Sequence, residues 1–168
     1  MFSFFKDEFP LAKSNDKLSI SSDAVHIRAL IKDLIDEKFS APLKVYILDS
    51  GSCNGCELEL QVLFSPIYDL PTFGVEVSYE SEEADVLLVT GLITENMYGE
   101  LQSVYKKLKE PKRIILIGDC PISAAPFKNT FALKDDMENF FSTAFKIPAC
   151  PPEPLVLLEG LHEFLKRV

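Results

Sequence analysis

Residues 43–56 read LKVYILDSGSCNGC. Leu43 to Asp49 is a short apolar run rich in β-branched and aromatic side chains, which predicts a strand. Ser50-Gly51-Ser52 is a turn, and a Cys-x-x-Cys pair, Cys53 and Cys56, follows it at once. Glu57 to Phe64 (ELELQVLF) then predicts a helix. A strand that passes through a tight turn into a helix opens an alternating α/β domain. In such domains ligands collect beyond the carboxyl ends of the strands, and that is where this cysteine pair falls.

The rest of the chain continues the alternation. Val75 to Tyr79, Asp85 to Thr90 (DVLLVT) and Arg113 to Gly118 (RIILIG) predict three further strands. Glu95 to Lys109 predicts an amphipathic helix with Met97, Leu101, Val104, Tyr105 and Leu108 on one side. Ser22 to Phe39 predicts another, with Ser22 or Asp23 as its cap and Ile27, Leu30, Ile31 and Leu34 at helical spacing. Ser40-Ala41-Pro42 stops it, because the residue before proline avoids the helical region. Glu153 to Val168 predicts a last helix, with Lys166 and Arg167 at the end where the dipole favours cations. Pro121 to Ala149 is harder to read, with a short helix expected within Asp135 to Phe145. Strands that are apolar throughout and separated by helices indicate a mostly parallel sheet covered on both faces. The expected architecture is a three-layer α/β sandwich with four or five strands. It divides into an N-terminal extension with one helix, residues 1–40, and an α/β body, residues 41–168. Met1 to Phe9 (MFSFFKDEF) holds four Phe in nine residues and reads as a partner contact, set against a tail that covers the domain's own core.

Composition narrows the function. At 168 residues, 47% apolar and 26% charged, the chain is a single globular domain and neither disordered nor a coiled coil. A net charge of −9 would repel a phosphate backbone, so nucleic acid is excluded as a partner. There is no long uncharged apolar run to span a membrane. Met1 to Phe9 has no basic-then-apolar signal pattern, which points away from secretion and from disulfides.

The four cysteines carry the chemistry. Cys53 and Cys56 follow the first strand, Cys120 follows the fourth, and Cys150 opens the segment before the last helix. All four therefore fall at one edge of the expected sheet. Four converging thiolates suit an iron–sulfur cluster or a tetrahedral zinc. Structural zinc sites usually show two close pairs, whereas this chain has one pair and two singletons, each followed by proline (Cys120-Pro121 and Cys150-Pro151-Pro152). That pattern favours the cluster. A thioredoxin-like redox pair, with Cys120 and Cys150 inert in the core, remains open on spacing alone.

Five stretches in order carry a family resemblance: Cys53-Asn-Gly-Cys56-Glu-Leu-Glu, Ala84-Asp-Val-Leu-Leu-Val-Thr-Gly91, Glu110-Pro111-Lys112, Ile117-Gly-Asp-Cys120-Pro-Ile-Ser123 and Pro148-Ala-Cys150-Pro-Pro-Glu-Pro154. Together they resemble the small subunit of membrane-bound, energy-converting NiFe hydrogenases, including the formate hydrogenlyase type. That family is related to the 20 kDa cluster subunit of respiratory complex I. The resemblance implies a flavodoxin-like fold and one 4Fe-4S cluster held by Cys53, Cys56, Cys120 and Cys150. It implies a large partner subunit with the NiFe site, a ferredoxin-like iron–sulfur subunit, and membrane subunits reached through the complex. The chain would then be a peripheral electron-transfer subunit of an oxidoreductase complex on the cytoplasmic side of the membrane. It would bind no substrate itself and serve proton reduction or dihydrogen oxidation linked to ferredoxin or formate.

Two alternatives stand beside this one. The first is an equivalent subunit of a complex-I-like quinone or sulfur-compound oxidoreductase without nickel. The second is a zinc-stabilised interaction module. Complex-I relatives carry adjacent cysteines where this chain has Ser52-Cys53 and a later Cys56, which favours the hydrogenase branch. Ser81-Glu82-Glu83-Ala84-Asp85 stands where relatives carry a basic Pro-Arg-His, Glu153 where they carry Arg, and Ala124-Ala125 where they carry Gly-Gly. Near a cluster, Glu in place of Arg lowers the potential. Glu57 is a candidate for a proton or cluster-environment role, while Glu59, two residues on, points elsewhere on a helix. His26 and His162 read as surface or interface residues, and Asp135, Asp136 and Glu138 as a solvated acidic run.

Overall fold

The computed structural model describes residues 20–124, 127–128, 130–134 and 140–168. Met1 to Phe9, the acidic run at 135–138 and the first part (135–139) of the helix expected within 135–145 lie outside these residues; the described remainder of that stretch is turn and the start of a strand. Five strands form one sheet: β1 (Leu43–Asp49), β2 (Val75–Val77), β3 (Val86–Thr90), β4 (Ile114–Ile117) and β5 (Phe145–Ile147). All neighbours are parallel and the order is β2-β1-β3-β4-β5. This is the flavodoxin-like arrangement, with the order reversing beside β1. The helices are α1 (Ser22–Lys38), α2 (Gly55–Phe64), α3 (Glu95–Lys107), α4 (Asp119–Ser123) and α5 (Pro154–Arg167). Short 3-10 turns occupy Leu70–Phe73 and Ser81–Glu83.

The apolar strands are buried on both faces, as their composition requires. Alternate residues of β3 and β4 supply two separate cores. Val86, Leu88, Ile115 and Ile117 pack with Ala24, Ile31 and Ile35 of α1, Leu60 and Leu63 of α2, and Leu157, Leu158 and Phe164 of α5. Leu87, Val89, Ile114 and Leu116 pack on the other face with Leu101 and Val104 of α3 and with Phe141. The result is the expected three-layer sandwich.

Local differences from the sequence reading have local causes. The cap of α1 is Ser21, whose extended backbone lets its hydroxyl accept from Ala24 N at 3.2 Å. That leaves Ser22 and Asp23 inside the first turn, where Asp23 favours the positive dipole end. β5 is three residues long, too short to show a strand period, and residues 140–143 before it are turn where the sequence suggests a short helix. The α4 turn was also absent from the sequence reading, because Pro121 at its third position breaks any helical pattern.

At the far end of the helical layer, Lys38 Nζ donates to the carbonyl oxygens of Leu165 and Val168, both at 2.8 Å. It satisfies carbonyls that the last turn of α5 leaves without partners. Among the described residues no helix is long and apolar enough to cross a membrane. Leu158 is fully buried between α1 and the sheet. Leu158→Ala should cost about 2–5 kcal/mol, read by urea denaturation.

Candidate metal centre

The carboxyl edge of the sheet is built by three loops that leave little freedom. After β1, Asp49 Oδ1 accepts from the amides of Gly51 (2.8 Å) and Ser52 (2.7 Å), folding the chain back toward the cysteine pair. The buried Ser50 hydroxyl donates to Thr90 O at 2.6 Å, and the Thr94 hydroxyl donates to Ser50 O at 2.9 Å. These bonds staple the β1 loop to the β3 loop. The contact admits no side chain at Gly91, since a Cβ there would lie 2.4 Å from the Ser52 amide nitrogen. Asn54 adopts the left-handed conformation (φ 70°) between the two cysteines and starts α2 behind it.

Cys56 then sits in the first turn of α2, over the end of β4. A Cβ on Gly118 would come within 2.7 Å of Cys56 Sγ and 3.5 Å of Ala149 O. Gly118 itself has φ 88° and ψ 167°, a region open essentially to glycine alone. A Cβ on Gly55 would lie 3.5 Å from Cys53 Sγ and 3.7 Å from Pro151. The loops of Cys53, Cys56, Cys120 and Cys150 therefore meet at one edge, as the sequence pattern anticipates. Cys53 and Cys150 are exposed and Cys56 and Cys120 half-buried, so Cys150 is no inert core residue.

The electrostatics of the site are set by burial and by the thiols' nearness to one another. Burial pushes the Cys56 thiol up to about 12, and Glu57 and the other three cysteines add to the effect. The α2 dipole would favour a thiolate here, but burial outweighs it. Cys120 is also raised, first by burial and then by Cys150, Cys53 and Asp119. Ionising one thiol opposes ionising the next. Among the described residues no three His, Cys, Asp or Glu side chains are grouped closely enough to hold a metal ion. The donor chemistry nevertheless fits an iron–sulfur group: four sulfurs, glycine at the two closest approaches, and mutual repulsion that bound iron would offset.

Other candidates fall in different places. Both carboxylate oxygens of Glu57 are buried without a hydrogen-bond partner among the described residues, beside the Cys56 thiol. Glu59 is elsewhere on α2. His26 is exposed on α1, and His162 is half-buried on α5, 3.9 Å from Glu163. The segment Ser81–Asp85 lies at the opposite, amino edge of the sheet. There Glu83 pairs with Lys44 (2.6 Å), Glu82 with Lys107 (3.1 Å) and Asp85 with Lys109 (3.1 Å). The expectation that its acids act on a nearby cluster is thus corrected: they are neutralised by lysines on the far side. Glu153 is the N-cap residue of α5, three residues after Cys150. Ala124 takes a left-handed conformation (φ 55°) closing α4, and Ala125 lies outside the described residues. Sequence reasoning passed over Asp49 and Asp119, which organise the loops. The cue was there in an Asp just ahead of each turn, since such residues habitually bond backbone amides nearby.

Two outcomes check this geometry. Gly118→Ala should destabilise the chain by about 1–3 kcal/mol from its backbone alone, measured by denaturation, and displace Cys56 as well. The second concerns pH. Cys56 ionises only near 12 when folded, against 9.0 for an ordinary thiol, so the unfolded chain releases its proton first as pH rises. Stability of the metal-free, reduced protein should fall through that window, and the gap between wild type and Cys56→Ala should shift against wild type from pH 9 upward.

Residues 53–164, the span from the first cysteine through α5, match the family described as NADH ubiquinone oxidoreductase, 20 Kd subunit. A probable membrane-bound hydrogenase subunit, mbhJ, of Pyrococcus furiosus is 34% identical over 124 residues, covering 74% of each chain. Formate hydrogenlyase subunit 7 of Escherichia coli is 32% identical over 132 residues, 79% of this chain and 52% of that protein. A chain of the archaeal membrane-bound sulfane sulfur reductase shares the fold, with a TM-score of 0.62 at 20% identity over 82% of this chain and 74% of that one. The chain belongs to the 20 kDa subunit family of NADH ubiquinone oxidoreductase, an oxidoreductase family that takes in subunits of membrane-bound hydrogenase complexes.

Proposed function

We propose that this chain is the electron-transfer subunit of a membrane-associated NiFe hydrogenase complex and holds one 4Fe-4S cluster on Cys53, Cys56, Cys120 and Cys150. The observation that carries the reading is the convergence of the three cysteine-bearing loops at the carboxyl edge of the sheet, close enough for the thiols to perturb one another, in a member of this family. When bound, the cluster supplies one-electron redox chemistry. The chain's own residues do the rest. Four thiolates bind, Gly118 and Gly55 leave room for sulfur, and Asp49 sets the turn that presents Cys53. Burial of Cys56 and Cys120 limits water on one side, while Cys53 and Cys150 face outward toward a partner.

Electrons would pass between a ferredoxin-like subunit and the NiFe site of a large subunit, with this chain binding no substrate of its own. The kinship with the hydrogenase subunit over three-quarters of both chains supports this choice of partner. The exposed side chains Leu58, Phe127 and Phe131 suit an interface. The loop that carries both Phe residues also reaches the site's edge, where Glu95 N donates to Ala132 O (2.9 Å). In the same reading residues 41–168 form the cluster domain, Met1 to Phe9 adds a partner contact, and the complex holds the subunit at the cytoplasmic face of the membrane.

Anaerobic purification with iron, sulfide, nickel and zinc analysis tests the proposal, together with electron paramagnetic resonance after dithionite reduction. About four irons and four sulfides per chain are expected once clusters on co-purifying subunits are subtracted. Cys120→Ala and Cys150→Ala should each lose the cluster and the activity of the complex. Nickel in the same preparation selects hydrogen chemistry; its absence selects the quinone or sulfur-compound alternative. Zinc without sulfide, or a full cluster in either variant, overturns the assignment.

A further inference from the structure

We propose that Asp119 is a positioning residue that clamps the loop of Cys150 to the loop of Cys120, so that the third and fourth sulfurs keep a fixed relation. The inference rests on the cluster reading above. Its basis is a pair of hydrogen bonds between the residues just before the two cysteines. Asp119 N donates to Ala149 O at 3.0 Å, and Ala149 N donates to Asp119 Oδ1 at 3.0 Å. The sheet ladder ends one step earlier, where Gly118 N donates to Ile147 O at 2.9 Å. Beyond that point a parallel strand has nothing to offer Ala149, and the Asp119 side chain supplies the missing acceptor.

Two features show why this clamp is needed. Ala149 has φ 127°, a conformation that side chains other than glycine's rarely adopt and that persists only when its surroundings enforce it. The segment Pro148-Ala-Cys-Pro-Pro152 contains three prolines, so only Ala149 and Cys150 have amides with which to anchor it. Asp119 holds one of those two amides. Release of Ala149 lets its backbone relax, and the next residue to swing is Cys150, which is exposed. The clamp acts through Cys150; it touches no substrate.

The test uses the full chain in its complex, as wild type, Asp119→Ala, Asp119→Asn and Asp119→Ala with Ala149→Gly. Three readouts serve: hydrogen exchange at the Ala149 amide, the resonance spectrum of the reduced cluster, and the rate of iron loss to a chelator. Asp119→Ala should exchange about tenfold faster or more, as expected for loss of a charge-assisted hydrogen bond. Its g values should shift and its iron leave several-fold faster. Asp119→Asn keeps the Oδ1 acceptor and should restore exchange and spectrum. Ala149→Gly removes the conformational demand and should slow iron loss again in the double variant. An Asp119→Ala chain that matches wild type in exchange and spectrum overturns the proposal, as does an Asp119→Asn chain as impaired as Asp119→Ala. Should Asp119→Ala fail to fold, the Asp119→Asn result decides on the same terms. A wild type without cluster refutes the functional reading, and amide exchange alone then decides for or against the clamp.

Discussion

The end of β4 has no space for a side chain, and that restriction organises the candidate centre. Gly118 lies between Cys56 Sγ on one side and the Ala149 carbonyl on the other, in a backbone region only glycine enters freely. Because it is flat there, α2 can lay its first turn across the strand end and the β5 loop can close from the other side. The loop after β1 has the matching restriction at Gly91. The site is therefore a contact between backbones, with the thiols carried on it. The fixed parts are peptide units, and Glu57 beside them is buried with no hydrogen-bond partner among the described residues.

The two edges of the sheet divide the charge of an acidic protein. At the amino edge Glu82, Glu83 and Asp85 meet Lys107, Lys44 and Lys109 in exposed pairs that contribute little stability but cancel locally. At the carboxyl edge Asp49 and Asp119 give their oxygens to backbone amides, so their charge is spread over fixed donors. The acids near the thiols are thus the ones with structural work, apart from Glu57.

Much of this was legible beforehand, for identifiable reasons. The runs LKVYILD, DVLLVT and RIILIG each hold four consecutive apolar residues (45–48, 86–89 and 114–117), the pattern of a parallel strand covered on both faces, so the sheet could be read directly. Once the strands were placed, the four cysteines fell on one edge by counting. The short elements escaped because a three-residue strand and a one-turn helix carry no period: β5 depends on its pairing with β4, and α4 on the turn that Gly118 permits. The position of Ser81–Asp85 escaped for another reason. A chain segment can be adjacent to a strand in sequence and still lie at its far end, and only the direction of β3 settles which end that is. The Asp119–Ala149 pair joins residues thirty apart and leaves no periodic trace.

The strand order also sets a sequence of events. β5 joins the sheet only through β4, and its partner residues, such as Ile115 and Phe145, are separated by a long connection. Contacts of that span form late, after the ladder they dock on already exists. The loop with Cys150 can take its place beside Cys120 only when β5 has docked, so the first three thiols are presented before the fourth. On the cluster reading proposed above, the donor set would stay incomplete until β5 docks, which would tie cluster insertion to completion of the fold.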